Sequence, residues 1–497
     1  MIETSAAPAS VTVNASRGHP RGLYTLFFTE MWERFSYYGM RALLVLFMVD
    51  QVRGGMGLTD QTATAIYGIY TAGVYLMALP GGWLADRILG AQRAVWYGGI
   101  IIAMGHFTLA IPRPETFYIG LVFVVVGSGI LKPNMSTMVA DLYPEGGARR
   151  DSGFTIFYMG VNLGAFIGPL VCSTLGEKMN WHYGFGAAGV GMVLGLVQFR
   201  FSRQRLGSAG LQRGNERQLN IAERFGLIGG IAAIVLVTGL CLAGNLKLNP
   251  VVIAHGLTTV ILAIAALYFV AVFLFCNLTK VEKERVALIL VLFFASALFW
   301  AGFEQAGSSF NLFAQRFTDR HLDWINYEIP AGWFQALGPI YIIMFAPLFA
   351  WLWIWLARRN LDPSIPVKFA LGLLLLAAGF LVMTGAARVV AHGQSALPGW
   401  LITTYLLHTF GELCLSPVGL SSVTKLSPRK LVGQMMGIWF LATSLGNLIA
   451  GLLAGEFKSD AIRQWPALYL KIIVLSAMAG GLLILFSRRI SRWTKGV

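Results

Sequence analysis

The sequence predicts an all-α integral membrane protein with 14 transmembrane helices, and three observations carry that prediction. The chain of 497 residues is 56% hydrophobic and only 12% charged, whereas a soluble globular chain carries about a quarter charged residues. Apolar stretches recur from end to end, each of roughly 20 residues and so able to cross about 30 Å of hydrocarbon as a helix. Lysine and arginine concentrate in alternate connections between these stretches.

The spans run near 23–50, 62–84, 92–112, 115–141, 152–175, 181–200, 225–244, 251–276, 286–313, 333–357, 367–388, 399–424, 431–455 and 467–487. An even number places both termini on one side. Of the 38 basic residues, 25 fall in loops on that side, 10 on the other, and Arg34, Arg41 and Lys132 lie within spans. Such a bias predicts cytoplasmic termini in a multi-pass protein of the cell inner membrane. It also accounts for the formal charge of +15 without a nucleic-acid partner. Residues 1–22 lack the apolar core of a signal peptide and read as a disordered cytoplasmic tail. The four cysteines, Cys172, Cys241, Cys276 and Cys414, sit in apolar segments without zinc-type spacing, and so read as packing residues.

An internal repeat relates the two ends of the chain. Residues 129–144, GILKPNMSTMVADLYP, match residues 413–428, LCLSPVGLSSVTKLSP, with prolines eleven apart in both copies. Both copies end a span on the side of the termini, so the repeat is parallel. Parallel halves of six spans are the plan of major-facilitator transporters. The expected organisation is a tail (1–22), an N-terminal six-helix bundle (23–200), a cytoplasmic linker with a two-helix insert (201–285), a C-terminal six-helix bundle (286–487) and a cytoplasmic tail (488–497).

The first span holds an unusual set of polar residues. Glu30, Glu33, Arg34, Tyr37, Tyr38 and Arg41 are spaced so that all six share one face of a helix. If the span began after Arg41, only about eight apolar residues would remain before Asp50, too few to cross. The face therefore lies at membrane depth and looks into protein or water. Charges there are costly unless paired or hydrated, and they mark pathways and relays. Partners exist in other spans: Lys132, Glu304 and Glu412. At 1.5 Å per residue, Glu33 lies ~15 Å and Lys132 ~14 Å from the cytoplasmic ends of their helices, with Arg41 and Glu304 both at ~27 Å. Two pairings are expected: Lys132 with the Glu30, Glu33 and Arg34 cluster, and Arg41 with Glu304. Four acids face three bases, and a surplus buried carboxylate tends to take up a proton.

At these residues the sequence resembles the proton-dependent oligopeptide transporter family of the major facilitator superfamily. Its first-helix signature, E-x-x-E-R-F-x-Y-Y-G, is matched by EMWERFSYYG at 30–39. Further matches are GGWLADRILG (81–90), GILKPNMSTMV (129–139), FYMGVNLGAF (157–166), FWAGFEQAGSSF (299–310) and GELCLSPVGLS (411–421). The resemblance implies a proton-coupled symporter importing di- and tripeptides by alternating access, working as a monomer among membrane lipids, without cofactor or metal. It implies a basic end formed by Arg34, Arg41 and Lys132 for the peptide carboxylate, and Glu412 for the amine. Tyr37, Tyr38, Tyr75 and Asn162 would line the site, and Trp439 would wall a side-chain pocket. Glu33 with Glu30 would be the proton site, coupled through Arg34 and Lys132, and Glu304 would switch its bond with Arg41 as a gate works. Asp86 and Arg87, in a glycine-bounded turn, resemble the superfamily's hairpin between the second and third spans and suit a second gate.

Gly338 departs from the family, which commonly has asparagine there, and this puts one backbone contact to the peptide in doubt. A same-fold transporter of nitrate or another small solute is the alternative, since it would need the bases but not Glu412. Embedded catalysis has no support: no HExxH or GxSxG string is present.

Overall fold

In lipid, an apolar run can satisfy its backbone N–H and C=O groups only as a helix or within a closed barrel, and every predicted span is helical. The computed structural model describes residues 18–211, 221–243, 245–246, 248–490 and 493. Most of the expected N-terminal tail and part of the C-terminal one lie outside the described residues. The first half consists of α1 (Arg21–Val49), α2 (Asp60–Leu84), α3 (Ala91–Leu109), α4 (Pro114–Asp141), α5 (Gly147–Lys178) and α6 (Trp181–Ser202). The insert is α7 (Ile221–Leu242) and α8 (Pro250–Phe275). The second half is α9 (Lys280–Phe303), α10 (Ser309–Phe317), α11 (Leu337–Arg358), α12 (Ile365–Ala391), α13 (Pro398–Leu426), α14 (Val432–Ala454) and α15 (Trp465–Ile490). Because α9 and α10 form one interrupted span, the architecture is the major-facilitator plan with two extra helices.

Helix starts follow capping chemistry. The Thr59 hydroxyl caps α2, the Asn180 and Asn249 amides cap α6 and α8, and Thr279 forms a reciprocal capping box with Glu282 at the start of α9. Among the described residues, 11 helical segments are long and apolar enough to cross a membrane. The first helix falls outside that set because every long window of it carries at least three of its charged residues. Its polar face is supported by close packing on α5. A methyl group on Gly164 would lie 2.0 Å from the Met31 carbonyl oxygen, and one on Gly168 would lie 2.4 Å from that of Phe35. Small residues four apart thus let two backbones touch, which is how helices associate without a hydrophobic drive.

The repeat prolines, Pro133 and Pro417, both lie inside helices, in α4 and α13. The ninth predicted span differs from the expectation of one continuous helix. It breaks into a 3-10 turn at Glu304–Gly307, and Gly307 passes so close to the Tyr67 hydroxyl that a methyl group there would approach it to 1.9 Å. A small hairpin, β1 (His321–Leu322) against β2 (Tyr327–Glu328), turns through Asn326 at φ 48°. It lies between spans and was not legible as strand.

The halves are sealed on the side away from the termini, here called the far side. Arg316 of α10 makes a bidentate pair with Asp60 of α2 at 2.7 and 2.8 Å. The Asn311 amide donates to the Ala42 carbonyl at 2.8 Å, and Gly68 packs directly on Gly451. The insert is unequal. Ala254, Ile261, Ala265, Phe269 and Val272 of α8 are buried where it packs on α2 and α14, whereas α7 is exposed along most of its length. The polar connector expected as a cytoplasmic linker begins as a docked segment: Gln92 binds the Gly207 and Ala209 carbonyls, and the Gly210 N–H donates to Asp141. All four cysteines are free thiols.

Candidate functional site

The helical spacing of the α1 face becomes a column of side chains reaching the seam between the halves. At its base, Arg34 Nε lies 2.7 Å from Glu30 Oε1 and 3.1 Å from Glu33 Oε2. One guanidinium therefore serves two buried carboxylates. The second Glu30 oxygen and both Glu33 oxygens have no hydrogen-bond partner among the described residues. Glu33 is fully buried.

One turn along, Tyr37 and Tyr38 pack edge to face at 5.2 Å, and Tyr37 stacks on Tyr70 at 6.2 Å. Lys132, placed beside Pro133 on α4, points here. Its ammonium sits 4.0 Å from the Tyr37 ring centroid and 5.5 Å from that of Tyr75. The expected ion pair of Lys132 with the carboxylate cluster does not form: no carboxylate lies within 4.0 Å of it among the described residues. The aromatic faces take its place, since a ring quadrupole attracts an ammonium where water is excluded.

At the top of the column, Arg41 Nη2 reaches Glu304 Oε2 at 2.8 Å, both side chains being almost fully buried. The two halves are thereby tied by a charge pair, as the depths predicted. The Arg41 guanidinium also rests over the Tyr38 and Tyr67 rings at 5.4 and 5.8 Å. Glu304 is the first residue of the break in the ninth span. Tyr405 of α13 holds that break by donating to the Ala306 carbonyl at 3.2 Å.

Glu412, on α13, is half-buried and has no ion pair or hydrogen bond among the described residues. Two turns earlier on the same face of α13, Tyr405 binds the turn that carries Glu304, which sets Glu412 beside the column just described. Asn162 is buried and donates to the Tyr158 carbonyl of its own helix at 2.9 Å. Trp439 is buried between Phe369 and Gly419 of the second half. Asp86 is exposed on a π-helical turn with half-buried Arg87, and the turn closes through Gly90 at φ 73°. Gly338 is buried with open space beyond it, the nearest atom to an added methyl being Thr409 Oγ1 at 3.9 Å. Tyr67 and Tyr70 were missed from sequence, although with Tyr75 they recur at helical spacing along α2.

The chemistry of this arrangement follows from its unmatched charges. Arg34 is held by Glu30 and Glu33, and Arg41 by Glu304. Of the charges at this seam, Lys132 from the first half and Glu412 from the second remain, neither with an opposite charge within 4.0 Å among the described residues.

A family model described as the POT family matches residues 92–464. The chain is 44% identical over 495 residues to the peptide transporter YePEPT of Yersinia enterocolitica, covering 96% of each chain. It is 37% identical over 455 residues to a di-/tripeptide transporter of Lactococcus lactis subsp. cremoris, covering 89% of this chain and 90% of that one. Among solved structures, peptide transporter POT in complex with sulfate aligns with a TM-score of 0.88 at 41% identity over 97% of both chains. A POT family transporter in complex with 5-aminolevulinic acid aligns with a TM-score of 0.86 at 33% identity, covering 96% of this chain and 98% of that one. Matched in its fold, over most of its length and on both sides of the charged seam, the chain belongs to the POT family of transporters.

Proposed function

We propose that the protein imports di- and tripeptides together with protons across the cell inner membrane by alternating access, as a monomer with both termini in the cytoplasm. The observation that carries this reading is the pair of unmatched charges, Lys132 and Glu412, on opposite halves of one seam. A short peptide is a zwitterion whose ends lie some 5–10 Å apart in an extended chain. A cation and an anion on separate bundles take the two ends and draw the bundles together. Relatives named for peptides, and a solved relative holding 5-aminolevulinic acid, which also carries an amine and a carboxylate, support that chemistry. The halves 23–200 and 286–487 are the moving bodies in this reading.

Proton coupling enters through α1. A proton on Glu33 or Glu30 removes one of the two charges that hold Arg34. Arg34 then joins Lys132 and Arg41 as a basic end for the substrate carboxylate, with Tyr37, Tyr38, Tyr75 and Asn162 lining the site and Trp439 bounding it. Glu412 receives the amine. Arg41 with Glu304 gates the far side, and the turn carrying Asp86 and Arg87 gates the side of the termini. Inward movement of one proton supplies about 2.3 kcal/mol per 100 mV of membrane potential. The test is uptake of labelled dialanine into proteoliposomes under an inward proton gradient, competed by unlabelled tripeptide. Failure to accumulate the label, or uptake indifferent to the gradient, overturns this reading.

A further inference from the structure

One buried carboxylate belongs neither to the α1 column nor to the unmatched pair. Glu177 lies in the last turn of α5, on the far side, and is 7% exposed. Its Oε2 accepts the Ala331 N–H at 2.7 Å and its Oε1 the Gly332 N–H at 2.8 Å. Those amides open the helical run Ala331–Arg358 of the second half. A carboxylate of one half therefore caps a helix N-terminus of the other, where unsatisfied N–H groups and the helix dipole favour negative charge.

The contact is built from both sides. A methyl group on Gly332 would lie 2.0 Å from Ser173 Oγ and 2.8 Å from Ser173 Cβ, so only glycine lets the capped turn reach the carboxylate. Next to it, Trp333 Nε1 donates to the Leu170 carbonyl and to Thr174 Oγ1 at 3.0 and 2.9 Å. Residues 170, 173, 174 and 177 share one face of α5, and that whole face is committed to 331–333. At the rear, Arg53 donates to the Glu177 backbone carbonyl at 2.5 Å and stacks on Trp181, fixing the end of α5 within its own half.

We propose that Glu177 is a gating residue: its cap on Ala331 and Gly332 latches the far side shut and must break each time the chamber opens there. This rests on the alternating-access reading above. Unlike Arg41 and Glu304, the latch pairs a charge with backbone N–H groups, which only proline among the side-chain replacements in the second half would remove. It acts by setting the balance between the two open forms, not by touching substrate, and is thus a positioning residue.

The test reads hydrogen exchange of the full-length protein in nanodiscs, together with dialanine uptake by the same preparation. Glu177→Gln keeps the shape but turns an amide NH₂ toward an N–H donor. Exchange at the Ala331 and Gly332 amides should rise at least about tenfold, as expected for loss of a hydrogen bond to a charged group. Far-side segments of α1 and α10 should gain deuterium while the ends of α4 and α13 on the side of the termini become more protected. Mere destabilisation would raise exchange on both sides. Gly332→Ala should reproduce the reciprocal pattern, and adding Ser173→Gly should reverse it by making room for the methyl group. Unchanged exchange, a rise on both sides, or no rescue by Ser173→Gly overturns the proposal. A wild-type protein that takes up no dialanine contradicts the transport reading instead, whatever the exchange pattern.

Discussion

Arg41 and Glu304 meet at 2.8 Å across the two halves of the molecule, one on an unbroken helix and the other at the first residue of a 3-10 turn. Removing one member of a buried pair strands the other charge and costs about 3–5 kcal/mol, whereas replacing both by apolar residues costs far less. Arg41→Met and Glu304→Leu should each lower thermal stability in detergent, and the double variant should recover most of the loss. The expected coupling is above about 1 kcal/mol. Additive losses in the double-mutant cycle would show that the contact carries no energy.

The unmatched Lys132 and Glu412 make a prediction about ligand ends. Glu412→Ala should weaken binding of free dialanine about 30-fold or more, the cost of a lost charge-assisted contact. The same change should leave N-acetyl-dialanine almost unaffected, since its amine is already neutral. Lys132→Ala should discriminate in the opposite sense, with dialanine amide as the insensitive ligand. Calorimetry or competition uptake with the three ligands measures this. Equal losses for blocked and free peptides would remove both residues from the ends of the substrate.

Much of this site was legible because helical spacing is a strict geometric rule. Once α1 had to span the membrane, residues 30, 33, 34, 37, 38 and 41 had to share a face, and depth counting alone brought Arg41 level with Glu304. Lys132 defeated the same logic. Depth placed it beside Glu30 and Glu33, but which neighbour an ammonium chooses depends on ring positions that spacing does not encode, and Tyr37 won at 4.0 Å. Glu177 was invisible for a different reason. Its partners are backbone N–H groups, which every sequence supplies everywhere, so nothing in residue identity marks them. The break at Glu304–Gly307 had a signal in Gly307, but the contact that demands glycine there is with the Tyr67 hydroxyl on another helix, which sequence spacing does not reveal.

Packing of α1 on α5 gives a prediction independent of transport. Gly164→Ala places a methyl group 2.0 Å from the Met31 carbonyl oxygen, so one helix must move. Overpacking of this kind costs about 1–3 kcal/mol. The melting temperature should fall, while Gly256→Ala, on α8 where a methyl group meets nothing within 4 Å, should leave it unchanged. Equal melting temperatures for the two variants would contradict the close approach of α1 and α5.

Glu33 offers the sharpest separation of coupling from binding. It is fully buried, and among the described residues its oxygens lack hydrogen-bond partners and have Arg34, shared with Glu30, as the only cation within 4.0 Å. Glu33→Gln mimics the protonated form permanently, freeing Arg34 from one of its two carboxylates while adding no bulk. Substrate binding therefore needs no proton in the variant, and the cycle loses the step at which the gradient does work. Gradient-driven uptake of dialanine should fall to the level seen without a gradient, whereas exchange of labelled for unlabelled peptide across the membrane should persist. If Glu33→Gln still accumulates peptide against its gradient, the proton is carried elsewhere, and Glu30, which keeps its 2.7 Å contact with Arg34, becomes the group to replace.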